Sequence, residues 1–169
     1  KRQGLFILAN LLKNIYALTS LNGTDANPPA NEKDLLDFIK AGQFLDNSIL
    51  THHYAYSDDL AEACQEQDCK IFCVVKSPYA MFEAIHSFAN GKNGIPSSAI
   101  SMGLKGLELS SPEVIDFING VHAQQLKTSD HWCRSNTASL VKFEDLVKQP
   151  QQYLEYICTQ IGPVEETVI

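Results

Sequence analysis

The sequence predicts an α/β fold with a mainly parallel sheet flanked by helices. Three observations carry that expectation. Strand-like and helix-like segments alternate along the chain, as right-handed βαβ crossovers require. The stretch "KIFCVV", residues 70–75, holds an apolar run without alternation, the pattern of a strand covered on both faces. The 169 residues, 44% hydrophobic and 20% charged, suffice for a single domain with a substantial core. In such a fold, ligands bind beyond the carboxyl ends of the strands.

The elements follow in order. Leu5, Leu8, Leu11, Leu12 and Ile15 share one helical face, which predicts a first helix over 5–18. "TSLNGTDANPPANE" reads as a polar loop broken by two prolines. Asn31 is placed to cap a short amphipathic helix in "NEKDLLDFIKAGQF". "NSILTHH" predicts a short strand, and Ser57 caps the helix "DDLAEACQEQ", whose acidic first turn suits the helix dipole. After the strand "KIFCVV", Pro78 opens a helix over 78–89. "NGKNGIPSSAISMGLKG" is a Gly/Ser-rich loop, and Ser111-Pro112-Glu113 starts a helix over "EVIDFINGVHAQQL". "ASLVKF" is a further strand, with Leu140, Val141 and Phe143 in it. "EDLVKQ" is a short helix, and "PQQYLEYICTQIG" a last one, from Pro150 to a C-cap at Gly162.

Charge and cysteine usage narrow the function. A net charge of −7, from 13 basic and 20 acidic residues, argues against sequence-independent nucleic-acid binding. It leaves room for a local phosphate site. The five cysteines are odd in number and form no C-x-x-C pair, which speaks against zinc. Cys73 in a strand and Cys158 in a helical stripe read as small buried hydrophobes of a reducing compartment, so a cytoplasmic setting is expected. The start "KRQGLFILANLL" has basic residues before an apolar run, as a signal peptide does, but Asn10 and Lys13 interrupt it. No stretch reaches the ~18 consecutive apolar residues of a membrane span. The chain begins abruptly without Met, and the reading is that of a fragment.

Three strand ends carry candidate chemistry. Lys76 follows the apolar strand directly, two residues before a helix whose free N–H groups point to the same rim. A lysine beside a helix N-terminus suits a phosphate; a solvated strand-end lysine is the plainer alternative. Thr51-His52-His53 closes another strand. Adjacent strand residues face opposite ways, so one histidine can serve as a general base, unless both are simply surface residues. Glu144 and Asp145 open a helix after the strand at 139–143; for Asp145 capping explains the carboxylate.

Together these segments resemble, in order, the sulfotransferases that use 3′-phosphoadenosine 5′-phosphosulfate (PAPS). "VKFEDLVKQPQQYLEYICTQIG" is similar to that family's V-R-Y-E-D-L-x-x-x-P block and following helix, with Glu144, Asp145, Leu146 and Pro150 matching and Phe143 in place of Tyr. "VVKSPYAMFEAIHSF" resembles the strand–loop–helix that holds the nucleotide 3′-phosphate, in its K-N-P-Y form, through Lys76, Pro78 and Tyr79. "ILTHH" resembles the K-T-H strand end that carries the catalytic base. Near the N-terminus, Arg2 and Gly4 fit the end of a P-loop-like turn, but Leu5 and Phe6 stand where hydroxyl residues meet the phosphosulfate. Ala84 likewise replaces a usual serine, and the strand expected before the turn lies upstream of residue 1.

The resemblance implies a P-loop NTPase-like architecture and sulfuryl transfer from PAPS to an acceptor hydroxyl or amine. His52 becomes the base. Lys1, Arg2 and the turn at Gly4 hold the phosphosulfate, and Lys76 with Ser77 the 3′-phosphate. No metal is needed. The acceptor is a small molecule, lipid or carbohydrate, and segment 89–110 is its expected lid. His53 and His122 receive no role. Two alternatives stand beside this reading. One is a sulfotransferase-like binding domain without catalysis, which Leu5, Phe6 and Ala84 favour. The other is a P-loop nucleotide phosphotransferase, against which the lack of G-x-x-x-x-G-K-[ST] counts.

Overall fold

The structure, a computed structural model, describes residues 3–21, 29–91 and 103–163. It is an α/β protein with two small parallel sheets. The chain falls into two compact units. The larger takes Arg2–Val74 with His131–Ile169, and the smaller Val75–Asp130.

In the larger unit, α1 (Gln3–Tyr16) buries Leu8 and Leu12. It ends where Ala17 turns left-handed (φ 52) and the Leu18 N–H reaches back to Lys13 O at 3.1 Å. That turn feeds β1 (Thr19–Ser20), which pairs in parallel with β2 (Ser48–Ile49) in the register Thr19↔Ser48 and Ser20↔Ile49. No periodicity announces β1, because two residues carry none. Between these strands runs α2 (Glu32–Lys40). Its cap is the expected one: Asn31 Oδ1 accepts from the Asp34 N–H at 2.9 Å. Ser57 caps α3 (Asp58–Glu66) in the same way, accepting from the Leu60 N–H at 3.3 Å.

The second sheet pairs β3 (Phe72–Val75) with β4 (Ser139–Lys142). The sequence predicts β3 to be covered on both faces, yet all its residues are only half-buried. Among the described residues its sheet has two strands, too narrow to bury a central strand fully. The helix α7 (Phe143–Lys148) begins one residue earlier than expected, so Phe143 is helical and not part of the strand. The last helix, α8 (Pro150–Ile161), has Pro150 at its first position and Gly162 (φ 138) beyond its end.

Two cores hold this unit. Leu8 and Leu12 meet Val141, Leu146 and Ile157, with Phe72 and Val74 of β3 packed against them. Leu35 and Ile39 of α2 meet Leu60, Ala63 and Cys64 of α3, with Cys69, Ile71 and Trp132 around them. Tyr16 fastens the first core at its edge by donating its hydroxyl hydrogen to Gly162 O at 2.8 Å. Burial, more than the neighbouring Cys158, pushes that phenol up to about 12.

In the smaller unit, α4 (Pro78–Ala89) has the predicted bounds. It packs Ala89 against Leu104 and Val114, with Phe82, Ile85 and Phe117 around them. Asn90 closes the helix and braces the returning chain: its Oδ1 accepts from the Gly106 N–H at 2.8 Å. The helix predicted over 113–126 is longer and interrupted. It runs as α5 (Pro112–Phe117), a π-helical turn (Ile118–His122) and α6 (Ala123–Arg134).

Candidate functional site

The segment after β2 places the predicted base. The strand is shorter than "NSILTHH" suggests, so Thr51, His52 and His53 lie in the irregular chain that follows it. His52 and His53 are both exposed. The His52 imidazole stacks on the Tyr54 ring, with centroids 4.2 Å apart and planes 24° apart. Tyr54 is itself anchored twice. Its hydroxyl donates to Pro29 O at 2.6 Å, and its carbonyl accepts from Trp132 Nε1–H at 2.9 Å. Tyr56 adds an edge-on contact with the same indole at 5.1 Å. Burial, then the nearby Asp34 carboxylate, raises the Tyr54 phenol above its ordinary value, so it stays a donor. Thus a pinned tyrosine holds His52 while leaving the imidazole open to solvent.

In the smaller unit, Lys76 follows the end of β3 and is half-buried; Ser77 is exposed. Ser77 occupies the N-cap of α4 with φ −48 and ψ 131, and its side chain makes no cap hydrogen bond. Its carbonyl accepts from the Met81 N–H at 2.8 Å, closing the first turn. With Pro78 at the first helical position, the remaining first-turn N–H groups of α4 follow Lys76 and Ser77 without intrahelical acceptors. This is a donor set suited to an anion. Tyr79 is 87% exposed and contributes nothing to the core, and Ala84 sits half-buried on the same helix.

The Glu144–Pro150 block forms the other strand–helix corner. Glu144 and Asp145 occupy the first turn of α7. Asp145 Oδ2 accepts from the Tyr153 hydroxyl at 3.3 Å, and Asp145 O accepts from the Gln149 N–H at 2.9 Å. The N-cap of α7 is Lys142, without a side-chain cap hydrogen bond, and the Asp145 carboxylate ties α7 to α8 where capping was expected. A cleft of about 540 Å³ opens here, with Leu140, Asp145, Lys148, Tyr153 and Tyr156 among its walls. A second, of about 340 Å³, includes Cys69, Lys70, Thr137 and Ser139. Neither is lined by His52, Lys76 or Ser77.

Lys1 and Arg2 lie outside the described residues, as do residues 92–102 of the expected lid. Gly4 is already inside the first turn of α1, not in a loop before it. As one of the first four residues of the helix it keeps an N–H without an intrahelical acceptor, which is the property the turn was expected to supply.

Sequence reasoning assigned nothing to His122, and the structure makes it conspicuous. It closes the π-helical turn, is 4% exposed, and its ring lies 6.4 Å from Phe117 and 5.9 Å from Phe82. Its Nδ1 and the Oε1 of Gln125 are buried without a hydrogen bond. The apolar pattern around "FINGVH" does not reveal this, since a π-turn shifts the helical phase by one residue without changing composition. His86, in contrast, is satisfied: its Nε2–H donates to Leu107 O at 2.9 Å.

Compared with known proteins, the chain matches no family profile, no curated protein and no solved structure.

Proposed function

We propose that this domain is a PAPS-dependent sulfotransferase with the P-loop-like architecture of that family. The observation that carries the reading is the passage from β3 through Lys76 and Ser77 into α4, a cation, a hydroxyl and helix N–H groups without intrahelical acceptors in sequence. Its partner strand β4 turns into α7 with the Glu144–Pro150 block at the corner. Lys76 and Ser77 take the nucleotide 3′-phosphate. Arg2, Lys1 and the first-turn N–H groups at Gly4 take the 5′-phosphosulfate. The acceptor oxygen or nitrogen attacks sulfur in line with the departing phosphate oxygen, and His52 receives the acceptor proton. The product nucleotide is 3′-phosphoadenosine 5′-phosphate (PAP). Catalysis comes from alignment and from donors placed where negative charge spreads.

A non-catalytic binding domain is the second reading. It is favoured by Leu5 and Phe6 in place of hydroxyls, and by clefts that omit His52 and Lys76.

Thermal unfolding with nucleotides separates the two. A ligand present at 100 times its Kd stabilises the native state by about 2.7 kcal/mol. For a chain of this size that raises Tm by roughly 5–10 °C. The expected order is a clear shift with PAP, a smaller one with AMP, and little with ATP–magnesium, because Lys76 reads the 3′-phosphate. A shift with ATP–magnesium alone would point to phosphotransfer. No shift with any nucleotide, on the longest natural form of the chain, overturns nucleotide binding.

A further inference from the structure

The turn that ends α3 brings two cysteines together. The Asp68 N–H donates to Gln65 O at 3.1 Å, and the Cys69 N–H reaches back to Cys64 O at 2.8 Å. Asp68 between them has φ 51. These paired reverse bonds around a left-handed residue form a Schellman motif, in which the side chains at the two ends of the longer bond meet. In most proteins that contact joins two hydrophobes; here it joins Cys64 and Cys69. Cys69 packs against the core cluster that contains Cys64, and its own thiol donates to Gln67 O at 3.8 Å.

The two sulfurs are not equivalent. Cys64 is 6% exposed on the inner face of α3. Cys69 is half-buried and lines the 340 Å³ cleft beside Asp68, Lys70 and Thr137. A small oxidant can reach Cys69 through that cleft, whereas Cys64 is buried and does not line it.

We propose that Cys69 and Cys64 form a peroxide-sensitive thiol pair that closes to an intramolecular disulfide, with Cys69 as the attacking sulfur and Cys64 as the resolving one. The Cys69 thiolate attacks one oxygen of a hydroperoxide. An S–O bond forms, the O–O bond breaks, and the leaving oxygen departs as alcohol or water after taking a proton. Cys64 then loses its proton and attacks the Cys69 sulfur. The S–S bond forms, the S–O bond breaks, and the hydroxyl leaves as water. Two thiols lose two electrons in all, and the hydroperoxide gains them.

The charges around the pair support this division. The neighbouring Cys64 thiol draws the Cys69 thiol below its ordinary value, against opposition from burial and the Asp68 carboxylate. The Lys70 ammonium meets that carboxylate at 2.6 Å, which blunts its effect. Tyr54 and Trp132 pack against the same cluster, and neither carries charge near neutral pH. The same contact raises the Cys64 thiol, as does its burial. Cys73, the candidate for a rival pair with Cys133, is pushed up to about 11 by burial first.

The test is peptide mapping of the whole chain after hydrogen peroxide and alkylation. Trypsin cuts after Lys40 and Lys70, so both cysteines fall in the peptide 41–70. Oxidation is expected to yield that peptide lighter by two hydrogens and closed to alkylation. Its rate is expected to rise with pH as the Cys69 thiol ionises, ahead of an ordinary cysteine. Cys64→Ser, or Cys64→Ala if the serine folds poorly, leaves Cys69 as a sulfenic acid that dimedone captures. Cys69→Ser leaves Cys64 alkylatable at the same dose. Limiting iodoacetamide on the unaltered chain labels Cys69 before Cys64. The proposal is overturned if dimedone marks Cys64 instead, if Cys73–Cys133 closes first, or if Cys69 bridges two chains.

Discussion

Tyr54 shows how packing at one side chain fixes the setting of an exposed neighbour. Its ring is the platform for His52, and its hydroxyl and carbonyl are each tied to a different segment, at Pro29 and Trp132. Under the sulfotransferase reading, removing one tie should matter less than removing His52. On that reading, His52→Ala lowers kcat by roughly 100-fold or more, the usual scale for a lost general base, with PAP affinity unchanged. His53→Ala leaves kcat near that of the parent. A larger loss at His53 than at His52, read from initial rates, removes His52 from the role. At the residue scale the sequence marked candidates, not their surroundings. The strand-end pattern singled out Lys76 and His52 because charged or imidazole side chains directly after an apolar run stand out in sequence. Tyr54 gave no such signal. Its partners Pro29 and Trp132 lie 25 and 78 positions away, and no local pattern encodes contacts at that range.

At the scale of elements, the ends marked by a physical stop or start were readable. Asn31 and Ser57 cap where a short polar oxygen before a polar first turn predicts a cap, and Pro78 and Pro150 stand at first helical positions. What escaped was conformation without a compositional mark: the two-residue β1 and the π-turn before His122. The end of α1 is a third such place, because an alanine and not a glycine takes the left-handed position there. At φ 52, Ala17 bears the clash between its Cβ and the backbone that glycine avoids. It is exposed, so its methyl group contributes little in return. Ala17→Gly should stabilise the chain by about 0.5–1 kcal/mol, the local strain relieved less the added freedom of the unfolded chain. Urea unfolding measures it. A loss of stability would mean that α1 does not end in the reverse turn from Leu18 to Lys13.

The whole molecule raises a different question, because its length suggests one domain while its contacts gather into two units. Sequence alone carried no sign of the division: no linker of distinct composition separates Val74 from Val75 or Asp130 from His131. The larger unit joins chain segments from both sides of the smaller one, so its core depends on pairing β3 with β4 across more than sixty intervening residues. The smaller unit rests on a modest core of Ala89, Leu104 and Val114. Leu104 is 1% exposed, and trimming it to alanine removes apolar contacts that its neighbours cannot fully close over. Leu104→Ala should therefore cost about 2–5 kcal/mol locally. If the units open separately, hydrogen exchange accelerates across α4 and α5 while the amides of α3 and α8 keep their protection. Leu146→Ala, in the core of Leu8 and Ile157, should produce the converse map. Equal loss of protection in both units from either substitution would show that they unfold as one cooperative body. In that case the 169 residues behave as the single domain their length and composition predict, and the boundary at Val75 has no energetic meaning.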